Sequence, residues 1–297
     1  MAGVLQLAGH EKDLGGGFKV RRLLPAVQRR SVGPFVFFDH FGPVTERPQD
    51  NHDVRPHPHI GLATVTYLFE GAMQHRDSLG SAQRIEPGAI NWMTAGSGIV
   101  HSERKPDDLR GREYANHGLQ LWVALPADKE EAAATFVHTP GVAIPELQVD
   151  GAQVRVLVGD AFGARSPVEA ASPTLYLDVQ LQGGAFTLPP VAEEMAIYVV
   201  AGSPRLDGEP LPAQRMAVLG PRATARIEAD GPARFVVVGG EPVGPRYMWW
   251  NFVSSRKDRI LAASADWEQG RFGTVPHDDQ EFIPLPPTRF TPPEPMS

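Results

Sequence analysis

A chain of 297 residues is long enough for two domains of ordinary size, each with its own core. Its 42% hydrophobic and 21% charged content are those of a folded protein, and its net charge of −7 argues against nucleic acid as the main partner, since phosphates call for a basic surface. The lack of cysteine excludes disulfides, thiolate ligands and cysteine nucleophiles, and fits a reducing compartment.

Met1 to Lys19 lacks the apolar run of a secretory signal, and no later stretch approaches the roughly 20 apolar residues that span a bilayer. The expectation is a soluble cytoplasmic protein without a membrane partner. Phe35 to Phe38 opens a series of short apolar runs, followed by Leu62 to Phe69, which ends at Glu70-Gly71. Ile85 to Met93 contains the turn Pro87-Gly88, and Ala95-Gly96-Ser97-Gly98 turns the chain just before Ile99. Gly118 to Leu125 is a further strand closed by Pro126, and Asp128 to Ala134 reads as a brief helix with Asp128 as its cap. Val154 to Val158, Thr174 to Leu181, Met195 to Val200, Arg215 to Leu219 and Arg234 to Val238 continue as strands. Ser255 to Gly270 reads as a helix ending at glycine, and the proline-rich stretch Ile283 to Ser297 as an extended tail. So many short strands predict an all-β sandwich or barrel.

A weak repeat links the two halves: Tyr67-Leu68-Phe69-Glu70-Gly71 resembles Tyr198-Val199-Val200-Ala201-Gly202. Aligning Tyr67 with Tyr198 matches His57 and His59 to Leu188 and Pro190, and His101 and Glu103 to Pro232 and Arg234. No histidine lies between His138 and His277. The second half can therefore copy the fold but not a histidine site.

That site is suggested by His57-Pro58-His59 and His101-Ser102-Glu103. Side chains two apart on a strand share a face, so each pair aims two ligands at one point. Brought together, the strands supply three imidazoles and one carboxylate, a donor set for a catalytic first-row metal. Pro56 and Pro58 cannot donate to a ladder, which puts this segment at a strand end or rim. Tetrahedral zinc would be closed off by four such ligands, whereas octahedral Fe(II), Mn(II), Ni(II) or Co(II) would keep two open positions for a substrate oxygen and dioxygen. Glu103 has a second role available, accepting a substrate proton. His75 and Asp77 form another same-face pair, read as hydrogen-bonded partners at the surface, with contact to the ligands or substrate as the alternative. His40 and Phe41 are candidates for the cavity border. Trp92 and Met93, and the cluster Trp249, Trp250 and Phe252, are read as core. Gly96-Ser97-Gly98 is a turn, and no phosphate-binding loop, nucleophile elbow or zinc-protease helix is present.

From Phe35 to Pro126 the chain resembles the pirin family of the cupin superfamily. The residues that carry this are Phe38-Asp39-His40-Phe41-Gly42-Pro43, Arg55-Pro56-His57-Pro58-His59-Ile60-Gly61-Leu62, Thr66 to Gly71, His75 to Gly80, Trp92 to Glu103 and Gly118 to Val123. The later part resembles the family more loosely, in strand style and in Gly239-Gly240-Glu241-Pro242, and the resemblance is not traced beyond Tyr247. The resemblance implies a bicupin of two stacked antiparallel jelly-roll barrels with a few short helices. It implies a metal-bearing barrel over residues 1–137 and a metal-free barrel with helix and tail over 138–297. It further implies one mononuclear divalent metal, Fe(II) foremost and Mn, Ni, Co or Zn as alternatives, held by His57, His59, His101 and Glu103. Many cupins take a carboxylate soon after the first histidine pair; Leu62-Ala63-Thr64 offers none here, which leaves that role to Glu103. Similar bacterial proteins are associated with quercetin 2,3-dioxygenase activity, the opening of a flavonol ring by dioxygen with loss of carbon monoxide. That makes a small aromatic molecule and dioxygen the expected partners, and Glu103 the expected catalytic residue. Eukaryotic relatives imply one alternative, an iron-dependent regulator that binds a protein partner; a cupin enzyme with another small-molecule substrate is the other.

Overall fold

The turn punctuation of the sequence becomes a set of antiparallel ladders in the computed structural model, which describes residues 4–15 and 17–288. Among the described residues, one unit comprises 11–15, 17–21, 38–141 and 244–288, and the other 4–10, 22–37 and 142–243. This division differs from a cut between residues 137 and 138 in both directions. The strand Leu5–Leu7 pairs with Met216–Val218 in the C-terminal unit, whereas residues 244–288 pack with the N-terminal one.

Each unit contains a seven-stranded and a four-stranded sheet, and the strand order is the same in both except at one edge of the larger sheet, which Thr135–Thr139 fills in the first unit and Leu5–Leu7 in the second. In the larger sheets, Leu62–Glu70 lies between Ile90–Thr94 and Tyr114–Ala124, and Glu194–Ala201 lies between Met216–Val218 and Ala233–Gly240. Tyr67 and Tyr198 are both fully buried in these central strands. In the smaller sheets, Val54–His59 pairs with Ile99–Arg104, and Gly184–Leu188 with Ala225–Ala229. The repeat is thus a repeat of topology.

The ladders correct the residue matching made at one fixed offset. Ile99 faces His59 and His101 faces His57; at the same ladder positions Ala225 faces Leu188 and Ile227 faces Phe186. Phe186, Leu188 and Ile227, all in the core, therefore stand where the first unit has His57, His59 and His101. A single offset fails before Tyr67 because Leu188 stands farther from Tyr198 in the chain than His59 from Tyr67, and after it because the hairpin Met73–Ile85 is longer than its counterpart Arg205–Pro210.

Residues 128–134 form a turn, held by Lys129 N–H to the Pro126 carbonyl and Ala132 N–H to the Lys129 carbonyl, and not the expected helix. Glu130 overrides the helix propensity. It is buried, lies 2.7 Å from Arg246 Nε, and accepts hydrogen bonds from the Ser255 N–H and the Ser254 and Ser255 hydroxyls. A buried carboxylate needs those partners, and a regular helix would turn it away from them. The second helix forms over Lys257–Glu268, slightly shorter than expected, and buries Ile260 and Ala263 against Ile60 and Phe252. Trp249 and Trp250 pack on the same cluster, in line with their reading as core. Of the tail, residues 283–288 are irregular, and 289–297 lie outside the described residues. No helix among the described residues is long and apolar enough to cross a membrane.

Gly61 ties the hairpin after Tyr247 to the strand of His57 and His59. Its φ is 68°, and a Cβ there would come within 1.9 Å of the Val253 carbonyl oxygen. Gly61→Ala should therefore lower unfolding stability by about 2–4 kcal/mol, from left-handed strain plus displacement of that backbone. A denaturant midpoint equal to that of the wild type would refute this close approach.

Candidate metal centre

The two ligand pairs meet because Val54–His59 and Ile99–Arg104 are neighbouring strands in one sheet. Val54–His59 is an edge strand, which is where Pro56 and Pro58 are tolerated. The ladder between the strands shifts register between His101 and Glu103, so Glu103 faces Val54. The three imidazole rings of His57, His59 and His101 are separated by 4.4–4.9 Å between centroids, and each offers a nitrogen within 4.8 Å of the others. Glu103 lies beside this triad, with Oε1 3.5 Å from His101 Nδ1. The triad is brought together closely, and the carboxylate is at its edge.

Hydrogen bonds set the tautomers of two imidazoles. His57 Nδ1 is 2.9 Å from the Arg55 carbonyl, and His59 Nδ1 is 3.0 Å from the Asn251 carbonyl. A carbonyl only accepts, so both Nδ1 atoms carry the proton and both Nε2 lone pairs are left for another partner. Burial lowers His57 to about 4, the Arg55 hydrogen bond partly opposing it, and lowers His59 and His101 well below the usual imidazole value, with the neighbouring imidazoles adding to the effect. Neutral imidazoles are the ligating form. Burial likewise pushes the Glu103 carboxyl up to about 8, against the opposing charge of Arg104.

A divalent metal fits this donor set. His59 Nε2, both ring nitrogens of His101 and Glu103 Oε2 are buried without hydrogen-bond partners. Such groups are costly unless paired, and a cation among them would satisfy several at once.

His75 and Asp77 form the expected hydrogen bond, 3.0 Å between Nε2 and Oδ2, but both are buried, which corrects their placement at the surface. Cross-strand pairing sets His75 opposite Glu103 and Asp77 opposite His101, and this brings the His75 ring to 5.4 Å from that of His101. Asp77 also accepts from the N–H groups of Leu79 and Ser81. Burial pushes its carboxyl up, but His75 and Ser81 outweigh that and hold it below the usual carboxylate range. His75 stacks on Phe136 at 4.2 Å, and Trp122 sets its edge against His59 at 5.1 Å. Phe136, Trp122 and Asn251 escaped the sequence reading, because a wall residue or a backbone carbonyl has no motif. Trp92 and Met93 are buried in the ladder between Val65, Thr64 and Val137, Phe136, as core residues.

His40 faces His117, 2.7 Å between Nε2 atoms, and Phe41 packs on Phe18. A cavity of about 20 Å³ reaches Glu103 and is lined in part by Phe18, Met73, Lys105, Tyr114 and Asn116; it holds about one water. Two larger cavities lie elsewhere. One of about 1100 Å³ is in the C-terminal unit, and one of about 510 Å³ is bordered by Pro56 and Val100 rather than by the histidines.

His101→Ala should reduce metal content per chain at least ten-fold while the circular dichroism spectrum stays that of the wild type, since the core does not depend on one imidazole. Full metal occupancy in that variant would remove His101 from the ligand set. Acid stability is a separate matter. Burial, then His117 and Arg21, lower His40 to about 3 from an unfolded value of 6.5. The unfolded chain thus binds the proton first, and the stability present above pH 6.5 is lost as the pH falls towards 3, at ~1.4 kcal/mol per pH unit. His40→Asn should flatten that part of the curve of unfolding free energy against pH, and unchanged curvature would refute the assignment.

The model of the Pirin family matches residues 17–123, and that of the pirin C-terminal cupin domain matches residues 176–273. A pirin-like protein of Caulobacter vibrioides is 48% identical over 279 residues, covering 93% of this chain and 96% of the relative. Human pirin is 33% identical over 279 residues, covering 91% and 93%. The crystal structure of a quercetin 2,3-dioxygenase from Acinetobacter baumannii superposes with a TM-score of 0.90 at 35% identity, over 98% of this chain and 97% of that one. The seven-plus-four arrangement of each unit is therefore that of a cupin, and the chain belongs to the pirin family.

Proposed function

We propose that this chain is a metal-dependent dioxygenase that opens the ring of a flavonol or a related enolizable aromatic. The observation that carries this reading is the buried triad of neutral imidazoles, with Glu103 at its edge and several acceptors lacking partners. The likeness to a solved quercetin 2,3-dioxygenase supports it. His57, His59, His101 and Glu103 would hold one divalent ion, Fe(II) foremost, with Mn, Ni, Co or Zn as alternatives. When bound, such an ion would supply Lewis acidity towards a substrate oxygen and, for all of these but Zn, redox chemistry towards dioxygen.

The protein's own groups handle the proton. Glu103 Oε2 is buried with no hydrogen-bond partner; burial pushes its carboxyl up to about 8, and a divalent ion held beside it would favour the ionised form that can accept a proton. A substrate enol or phenol arriving there transfers its proton to Oε2, leaving an electron-rich ring. Asp77 holds the His75 ring in place against Phe136, and together with Trp122 these residues keep bulk water from the triad. A second reading is favoured by the cavity itself: the space beside Glu103, about 20 Å³, admits neither a flavonol nor a smaller enolizable molecule as it stands, and the smaller one would displace less of its lining. In that case quercetin is a side substrate.

The test is aerobic incubation of the metal-loaded protein with quercetin, followed by loss of the flavonol absorbance and release of carbon monoxide. Glu103→Gln keeps the size and an oxygen donor but removes the base, so turnover per bound metal should fall about 10²–10⁴-fold. No oxygen-dependent loss of quercetin or related flavonols with iron, manganese, nickel or cobalt would eliminate the flavonol reading. An equally active Glu103→Gln would leave the enzyme standing and remove Glu103 as the proton acceptor.

A further inference from the structure

Side chains alternate along Ile99–Arg104, so Ser102 and Arg104 face away from His101 and Glu103. Both outward residues end on one carboxylate from a distant part of the chain. Ser102 Oγ donates to Asp278 Oδ2 at 2.6 Å, and Arg104 donates to the same carboxylate through Nε at 2.9 Å and Nη2 at 2.6 Å. Arg104 Nη1 also lies 3.0 Å from Glu281 Oε1 and 3.6 Å from Asp53 Oδ2. Just beyond, the Ile283 N–H donates to the Pro56 carbonyl at 2.8 Å, on the strand of His57 and His59. Trp267 Nε1 donates to the Ile283 carbonyl at 3.0 Å and so ties this strap to the helix Lys257–Glu268. One short segment therefore grips both ligand-bearing strands from behind.

The place of the grip matters more than its strength. Ile99–Arg104 already has a neighbouring strand on each side, so the fold has no need of a third anchor there. Its ladder to Met73–Asp77 continues unbroken from His101 to Arg104, whereas its ladder to Val54–His59 slips between His101 and Glu103. A bulge of this kind leaves the local spacing of the two strands less constrained. Asp278 takes hold of Ser102 and Arg104, the residues that flank Glu103.

We infer that Asp278 is a positioning residue for the metal centre, its carboxylate setting how far Glu103 stands from the imidazoles of the neighbouring strand. This rests on His57, His59, His101 and Glu103 being the metal ligands. Loss of the grip leaves every ligand in the chain but lets the bulge relax, so metal affinity and coordination geometry change without loss of a donor.

The experiment measures Co(II) binding to the full-length apoprotein by calorimetric titration, together with the visible d–d spectrum of the Co(II) form. Asp278→Asn should bind Co(II) about 10–100-fold more weakly, the range for losing a partner behind a ligand, with a shifted spectrum. Ser102→Ala, which removes one hydrogen bond, should move both readouts in the same direction by less. Asp266→Asn, which disrupts the ion pair with Arg271 on the neighbouring helix, should match the wild type. If Asp278→Asn melts at lower temperature yet keeps the wild-type Co(II) affinity and spectrum, the strap is structural only and the inference is overturned. Should that variant not fold, wild-type affinity and spectrum in Ser102→Ala overturn it equally. A wild-type protein that binds no Co(II) and no other divalent metal overturns the ligand assignment itself, a failure distinct from the other two.

Discussion

The centre depends on one electrostatic constraint: three imidazoles and a carboxylate are buried together on the inner face of two strands. Removing them from water disfavours the charged form of each, which leaves His57, His59 and His101 neutral and Glu103 a stronger base. An arrangement of unpartnered donor atoms is costly in a core and is tolerated when a cation is to be held. The second unit shows the same topology relieved of that constraint. Phe186, Leu188 and Ile227 occupy the matching ladder positions and pack as ordinary core. One architecture thus serves as a site in one half and as a filled core in the other.

Around the triad, the supporting contacts come from far along the chain. The turn at Trp250 and Asn251 brings a carbonyl to His59, with Trp250 itself at a φ of 54°. A bulky residue in the left-handed region is strained, and such strain persists only where the surroundings over-determine it. Here the packing of Trp250 on Phe252 and Trp267 supplies that determination. The segment 244–288, which no motif marks, is therefore part of the unit that carries the triad in a physical sense as well as by its contacts.

The cavities bear on specificity. The volume beside Glu103 is that of a water, and its lining combines apolar Phe18 and Met73 with polar Lys105, Tyr114 and Asn116. Of the triad and Glu103, only Glu103 borders this volume; His57, His59 and His101 do not line it.

By itself the sequence determined the all-β class, the pairing of His57 with His59 and of His101 with Glu103 on common faces, and the absence of a histidine site in the second half. Those follow from local rules: turn residues at short intervals, a side-chain period of two, and simple composition. Only the tertiary structure decided that Glu103 sits at the edge of the triad, since a one-residue register slip is a property of two strands and not of either alone. Likewise, burial of His75 and Asp77 depends on Phe136 and on the strand of His101, and the turn at residues 128–134 on Arg246 and Ser255 far downstream. Asn251 and Asp278 act on the site through a backbone carbonyl and through a clamp on the outward face. Neither leaves a local pattern in the sequence, because the groups they serve are brought to them only when the chain folds.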